Sequence, residues 1–358
     1  MTARPKPARE RAGIGKALAA AVLFGLSTPL AKTLIADIAP QVLAGLFYLG
    51  SGVGLTLFWL FRRARARPRR DAPLTRTDLP WLAGAIVSGG LVAPVLLMAG
   101  LENTLASTAS LLLNVEGVFT ALLAWVVFRE NVDRRIFLGM AAIVAGGVLL
   151  SWAGGLTLAG MRGPLLVVAA CLGWAIDNNL TQRVSAGDPV EVAGLKGLVA
   201  GGVNLVLGLV LRGTLPAGDQ LVGALLVGFI GYGASLVLFV LAMRELGTAR
   251  TGAYFSLAPF VGAVAGLALF REPVTPLFLL AALLMGLGLW LHLTERHEHD
   301  HDHEPLQHTH RHRHDEHHRH AHSPEDPSGE PHVHEHSHPR LLHRHPHYPD
   351  IHHRHTHG

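Results

Sequence analysis

The stretch LLLNVEGVFTALLAWVVFRE (111–130) finds a second version of itself in AYFSLAPFVGAVAGLALFRE (253–272), and the two align without a gap at an offset of 142 residues. Each is an apolar run that ends in Phe-Arg-Glu. Each is long enough to cross the ~30 Å hydrocarbon core of a bilayer, where a backbone that must satisfy its own hydrogen bonds becomes helical. Outward from the match, each copy continues into a glycine-bearing apolar span, with Gly146 lying over Gly288. Upstream the likeness is looser, with LFGLSTPLAK (23–32) against CLGWAIDNNL (171–180). The chain therefore reads as five helices written twice. Because five is odd, the second copy has to enter the membrane from the opposite side, the arrangement by which many carriers obtain two interchangeable conformations around one midplane site.

The rest of the chain agrees with that reading. Its 358 residues are 49% hydrophobic and only 16% charged. Apolar runs recur with short gaps up to about residue 294, and almost nothing apolar follows. The expected fold class is an all-α integral membrane protein of ten transmembrane helices in two inverted five-helix repeats, followed by a disordered His-rich tail. The spans are expected near 14–35, 41–61, 79–100, 104–127, 136–153, 163–184, 190–211, 219–243, 249–270 and 276–294. The domains follow as a basic N-terminus over 1–13, a first repeat over 14–153, a second over 154–294 and the tail over 295–358.

Charge supplies the orientation. With the tail at −5, the body carries +9, and that excess sits in loops between spans, which points to membrane topology and not to nucleic acid. Eighteen lysines and arginines fall in the N-terminus and the even-numbered loops, against Arg162, Arg212 and Arg271 in the alternate ones. Both termini are expected on the cytoplasmic side, in a bacterial cytoplasmic (inner) membrane. The first span follows a basic stretch but has no evident small-x-small cleavage site, so it reads as retained. Cys171 is the single cysteine, which excludes a disulfide framework.

On these motifs the chain resembles the EamA-type transporters of the drug/metabolite transporter superfamily, which have ten helices in two repeats. The residues carrying the likeness are LFGLSTPLAK, the helix ends FTALLAWVVFREN and FVGAVAGLALFREP, and the spans after them, LGMAAIVAGGVLL and LLAALLMGLGLWL. It covers about residues 15–292. The second copy has the family's proline, Pro259, ahead of its Phe-Arg-Glu end, whereas the first has Gly117, preceded by Glu116. The resemblance implies a secondary transporter for a small polar metabolite or drug, working outward.

Polar groups at membrane depth point to function by default. Glu116 falls about 18 Å into its span, where it either binds a cation, carries a coupling proton, or is a structural carboxyl. Asn114, about 200° away around the helix, faces elsewhere. Asp177 and Lys196 each lie about 10 Å from the same membrane side on consecutive antiparallel helices. They are expected to form an ion pair, as a gate or as a static clamp. Asn178, Asn179 and Asn204 either contact a polar substrate or join helices. Tyr232 and Tyr254 are candidate lining residues, and Lys32 is expected to snorkel to the interface.

Enzyme signatures are missing from the body. It has no histidine before His292, hence no Ser–His or Cys–His pair, and no GxxxxGK[ST] phosphate loop. The expectation is no enzyme and no required cofactor. The 24 histidines all lie between His292 and His357. Imidazole is a ligand for zinc, nickel and cobalt, so His297, His299, His301, His303, His308, His310, His312, His314, His317, His318, His320 and His322 are candidate metal ligands. Expected partners are the lipid bilayer, a polar solute, divalent metal at the tail, and a second copy in a homodimer. Two other readings stay open: a divalent-metal exporter with the tail as collector, and a membrane-bound metal sensor or buffer.

Overall fold

The structure is a computed structural model, and it describes residues 7–64, 76–128, 134–152, 158–182, 188–212, 214–246, 248–294, 298–303, 306–312, 332–338 and 341–346. The body is helical: α1 (Pro7–Leu34), α2 (Pro40–Ala64), α3 (Leu79–Ala85), α4 (Ala93–Glu102), α5 (Ala106–Leu112), α6 (Val115–Phe128) and α7 (Arg134–Trp152). A second series follows: α8 (Leu158–Gln182), α9 (Pro189–Arg212), α10 (Gly218–Val227), α11 (Ser235–Leu246), α12 (Thr248–Phe255), α13 (Ala258–Phe270) and α14 (Pro276–Leu293). Among the described residues, nine helical stretches are long and apolar enough to cross a membrane, and the apolar part of α14, Pro276–Leu291, is shorter.

The third and fourth expected spans of each copy are interrupted. α3 and α4 are joined through a π-helical turn at Ile86–Val92, and α10 and α11 through another at Gly228–Ala234. The second turn sits at the first one's offset of 142 residues, and so does the start of α12 relative to α5. The single helices expected over 104–127 and 249–270 each break near the middle, at Leu113–Asn114 and at Ser256–Leu257. The local causes differ. Asn114 turns its amide onto the Leu111 carbonyl at 2.9 Å, and such back-bonding competes with the helix ladder. In the second copy Ser256 bonds back to the Ala253 carbonyl at 2.7 Å, and Pro259 has no N–H to continue the ladder but is suited to the first turn of α13.

Equivalent helices of the two copies pack on each other in antiparallel fashion. Along α2 and α9, Val42 meets Gly208, Gly45 meets Leu205, Leu49 meets Gly201, and Gly52 meets Gly197. A Cβ on Gly52 would stand 2.6 Å from the Gly197 carbonyl carbon, so only glycine permits this approach. α7 and α14 do the same, with Gly146 against Met285 and Gly288 against Ile143. The first helix of each copy packs on the third and fourth spans of the other: α1 on α11 to α13, and α8 on α3 to α6. Large apolar residues such as Leu57, Val126, Val210, Val264 and Leu283 stay on the outside, more than 60% exposed, which is the pattern of a body solvated by lipid.

The repeated Phe-Arg-Glu acquires a physical meaning here. Arg271 closes α13 in the left-handed region, with φ 50°, which costs a non-glycine residue about 1–2 kcal/mol. The turn sends Glu272 to the start of α5, where its carboxylate accepts from the Ala106 N–H at 2.7 Å and the Ser107 N–H at 3.0 Å. Those are orphan donors of a helix N-terminus, and a carboxylate there also meets the helix dipole. Glu130, the matching residue of the first copy, lies outside the described residues.

The disorder expected for the tail is not what the described residues show. Glu298–His303 (β1) pairs antiparallel with Leu341–Pro346 (β4), and Leu306–His312 (β2) pairs with His332–His338 (β3), in two separate two-stranded sheets. The strict alternation of histidine with other residues in these stretches suits the period of a strand. His297, His314, His317, His318, His320 and His322 lie outside the described residues.

Candidate functional site

The site grows from α8. The residues four apart on this helix, Trp174 and Asn178, share a face. Asn178 donates from Nδ2 to Glu116 Oε1 at 2.8 Å, which joins α8 to the first turn of α6, just past the break at Leu113–Asn114. Asn178 is exposed, Glu116 is half-exposed, and a Cβ on Gly117 would meet nothing within 4 Å, so the pair borders open space. Glu116 Oε2 has no hydrogen-bond partner among the described residues. The charge that acts on Glu116 is that of Asp177, which has the same sign.

One turn back, Trp174 meets the first π turn. A π turn misaligns the i→i−4 ladder and leaves carbonyls to be satisfied from elsewhere. Trp174 donates from Nε1 to the Gly89 carbonyl at 3.0 Å, and the Tyr48 hydroxyl donates to that same oxygen at 2.7 Å. Asn204 of α9 takes the neighbouring Gly90 carbonyl at 3.0 Å. Aromatic rings continue from there. The Tyr48 and Tyr232 centroids are 5.7 Å apart, and Tyr232 also packs on Phe24 at 5.6 Å and Phe47 at 5.9 Å. Phe24 reaches on to Phe255 at 5.4 Å. Tyr48, Tyr232, Phe24 and Phe255 are all half-exposed, whereas Trp174 is buried. Tyr254, half-buried on α12, makes none of these ring contacts among the described residues.

The ion pair lies beside it, for Asp177 is three residues past Trp174 on α8 and meets the same π turn. Lys196 Nζ lies 2.5 Å from Asp177 Oδ1 and also donates to Thr181 Oγ1 at 3.1 Å, while Thr181 donates to Asp177 at 2.8 Å. Asp177 also rests on Gly89 of the π turn, where a Cβ would fall 2.0 Å from its Oδ2. Two further bridges join the two copies, Arg62 with Asp188 and Lys16 with Glu245. Asn179 is spent on the Ala175 carbonyl at 2.8 Å and the Thr120 carbonyl at 3.4 Å. Of the three asparagines, Asn179 and Asn204 therefore join helices, and Asn178 alone reaches the open space.

Lys32 is half-buried, and its ammonium binds the Leu101 carbonyl and, at 3.3 Å, that of Glu102, the last residues of α4. A cation at a helix C-terminus satisfies orphan carbonyls and meets the negative end of the dipole. Residues that sequence reasoning passed over are Tyr48, Trp174, Thr181 and Glu272. Trp174 sat four residues from a named asparagine, and that helical spacing was the available signal. A groove between α2 and α10 with its following π turn, lined by Val53, Leu57, Phe58, Val222, Leu226 and Phe229, is lined by no polar side chain and does not suit a polar solute. Among the described residues no cluster of three His, Cys, Asp or Glu side chains is placed to hold a metal.

The chain is similar to several known proteins. Over 270 residues the chain is 29% identical to an uncharacterized transporter of Methanothermobacter thermautotrophicus, covering 72% of this chain and 78% of that one. Over 87 residues it is 33% identical to the probable 4-amino-4-deoxy-L-arabinose-phosphoundecaprenol flippase subunit ArnE of Pseudomonas fluorescens, covering 24% of this chain and 74% of that one. One crystal structure superimposes with a TM-score of 0.56 at 17% identity, over 79% of this chain and 96% of the other, which bears on the fold alone. The EamA-like transporter family model matches twice, over residues 11–152 and 161–294, and the chain belongs to the EamA-like transporter family.

Proposed function

We propose that this protein is a secondary-active transporter with ten spans in two inverted five-helix copies, which moves a small polar metabolite or drug outward in exchange for protons. Both termini lie in the cytoplasm of a bacterial cell, as the arginine-rich loops favour. The observation that carries the reading is Glu116 with Asn178. They stand where α6 resumes after a mid-span break, Glu116 half-exposed and Asn178 exposed. A carboxylate in that place serves either solute or coupling proton, and broken helices at a repeat interface are where carriers place their sites. The Asp177–Lys196–Thr181 cluster then acts as a clamp between α8 and α9 that opens when the site is exposed on that side. The relative named as a flippase subunit is in keeping with movement of a polar group across a bilayer.

The test is solute-driven proton flux in proteoliposomes bearing an imposed pH gradient. With the intact protein, at least one member of a panel of polar metabolites and drugs collapses the gradient, and Glu116→Gln abolishes the effect. A gradient that decays as it does in empty liposomes for every solute contradicts the transporter reading.

A second reading, export of nickel, cobalt or zinc, is favoured by the tail. Its strand register sets His308 opposite His336, His310 opposite His334 and His312 opposite His332, and paired imidazoles are ligands for these ions. Lower cell metal with the intact chain, lost in a chain ending at Thr294, supports it, whereas unchanged or raised metal leaves the tail a buffer.

A further inference from the structure

We propose that Glu272 is the latch of one membrane face, holding α5 of the first copy against the second, and that Lys16–Glu245 and Arg62–Asp188 are its weaker counterpart on the opposite face. One set breaks while the other holds. This rests on the transporter reading above and names the contacts that open its site to one side at a time.

α1 shows which contacts share a face. Lys16 and Lys32 lie about 24 Å apart along its axis. At the first end Lys16 pairs with Glu245 at the close of α11. The chain crosses in α1 and returns in α2, which brings Arg62 to that same face, where it pairs with Asp188 ahead of α9. At the second end Lys32 binds the last carbonyls of α4, and just past them in the chain α5 begins. There Glu272 of the other copy accepts from the Ala106 and Ser107 N–H groups. Two more charged side chains bridge the copies among the described residues, and both bonds are exposed: Arg135 donates to the Thr294 carbonyl at 3.1 Å, and Asp37 accepts from Gln220 at 2.9 Å. Rocking of one copy against the other as a rigid body cannot keep the charged bonds on both faces.

The two faces are held unequally. Glu272 is buried, and both its oxygens are used, at 2.7 and 3.0 Å, on orphan N–H groups. Hydrogen bonds to an ionised group are the strong class. Lys16 and Arg62 are half-buried, and water weakens ion pairs that it reaches. What Glu272 holds bears on the site, because α5 continues through the break at Leu113–Asn114 into the first turn of α6, which carries Glu116. Along the rest of its length α5 meets α13 over glycines. A Cβ on Gly262 would fall 2.7 Å from Ser110 Oγ, and one on Gly266 would fall 2.7 Å from the Ser107 nitrogen. A seam of small residues has few interlocking side chains to unpack, so releasing the carboxylate frees α5 to part from the other copy.

The experiment reads the side from which the site is reached. The full chain carries Asn178→Cys with Cys171 replaced by alanine, and a membrane-impermeant charged thiosulfonate is applied to right-side-out and to inside-out vesicles. Glu272→Gln, which removes the charge and keeps the shape, raises the modification rate from the Glu272 face by about tenfold and does not raise it from the other. Glu272→Asp, with the charge on a shorter arm, falls between. Arg62→Gln, at a half-buried position that folding tolerates, raises the rate from its own face by about threefold and lowers it from the Glu272 face. Equal changes from both faces, or no change in any variant, overturn the proposal, since a static cap and a static surface pair behave that way. No modification from either face in any variant removes the site together with its latches. Sided changes without solute-driven proton flux keep the latches and remove the carrier.

Discussion

The two copies share a backbone plan and divide the chemistry. Position for position, Ile86 in the first π turn corresponds to Gly228 in the second, Gly90 to Tyr232, and Glu116 to Ala258. The first π turn is pinned, its Gly89 and Gly90 carbonyls held by Tyr48, Trp174 and Asn204. The second contributes Tyr232 to the run of aromatic rings, and it lies tight on α2 because a glycine stands where the first copy has isoleucine. A duplicated scaffold thus fixes where the helices break, while the side chains placed at those breaks differ between the copies. That difference is open to direct attack.

The largest effect is expected from making the π turns alike. In Gly228→Ile the Cβ falls 2.2 Å from the Phe47 carbonyl oxygen and 2.5 Å from its Cα. Backbone cannot yield as a flexible side chain can, so we expect a loss of about 3 kcal/mol or more, seen as failure to recover monodisperse protein in detergent. Next comes Lys196→Met, which strands a largely buried Asp177 and costs about 3 kcal/mol. Adding Asp177→Asn to it recovers most of the loss in a thermal unfolding cycle, whereas additive losses would mean that the pair does not interact. Asn204→Leu releases the Gly90 carbonyl and the longer bond to the Leu91 carbonyl, and should cost about 0.6–1 kcal/mol by the same measurement. Gly202→Ala, on the same helix but with nothing within 4 Å of its Cβ, should leave stability unchanged within about 0.5 kcal/mol. A reversed order between the last two would break the account of what holds α9.

Much of the plan was legible in the chain itself. Apolar length and the Phe-Arg-Glu doubling located nine apolar helical stretches to within a few residues, and matched depths on adjacent helices brought Asp177 and Lys196 together. The breaks were not legible. A π turn in IVSGGLV or GFIGYGA depends on how neighbouring helices compete for the carbonyls, and hydropathy does not record that. Tyr48 and Trp174 escaped for a related reason: an aromatic residue in an apolar span reads as packing until a distant carbonyl is found at its polar tip. Glu272 was used as a marker of the repeat, while its work as a cap at Ala106 and Ser107, 166 and 165 residues away in sequence, is a tertiary fact. In the tail, charge and proline pointed to disorder, and the alternation that permits β1 to β4 was overlooked.

The central claim is that Glu116 and Asn178 face a water-accessible crevice inside the bundle and not the lipid. Cys171, the chain's single cysteine, is buried and is replaced by alanine. Asn178→Cys and Ile176→Cys are then compared, both at exposed positions of α8 but about 200° apart around it. The reagent is a charged thiosulfonate applied from water to the protein in liposomes. The account predicts modification at position 178 and not at position 176. Modification at neither position, or at 176 alone, would contradict it.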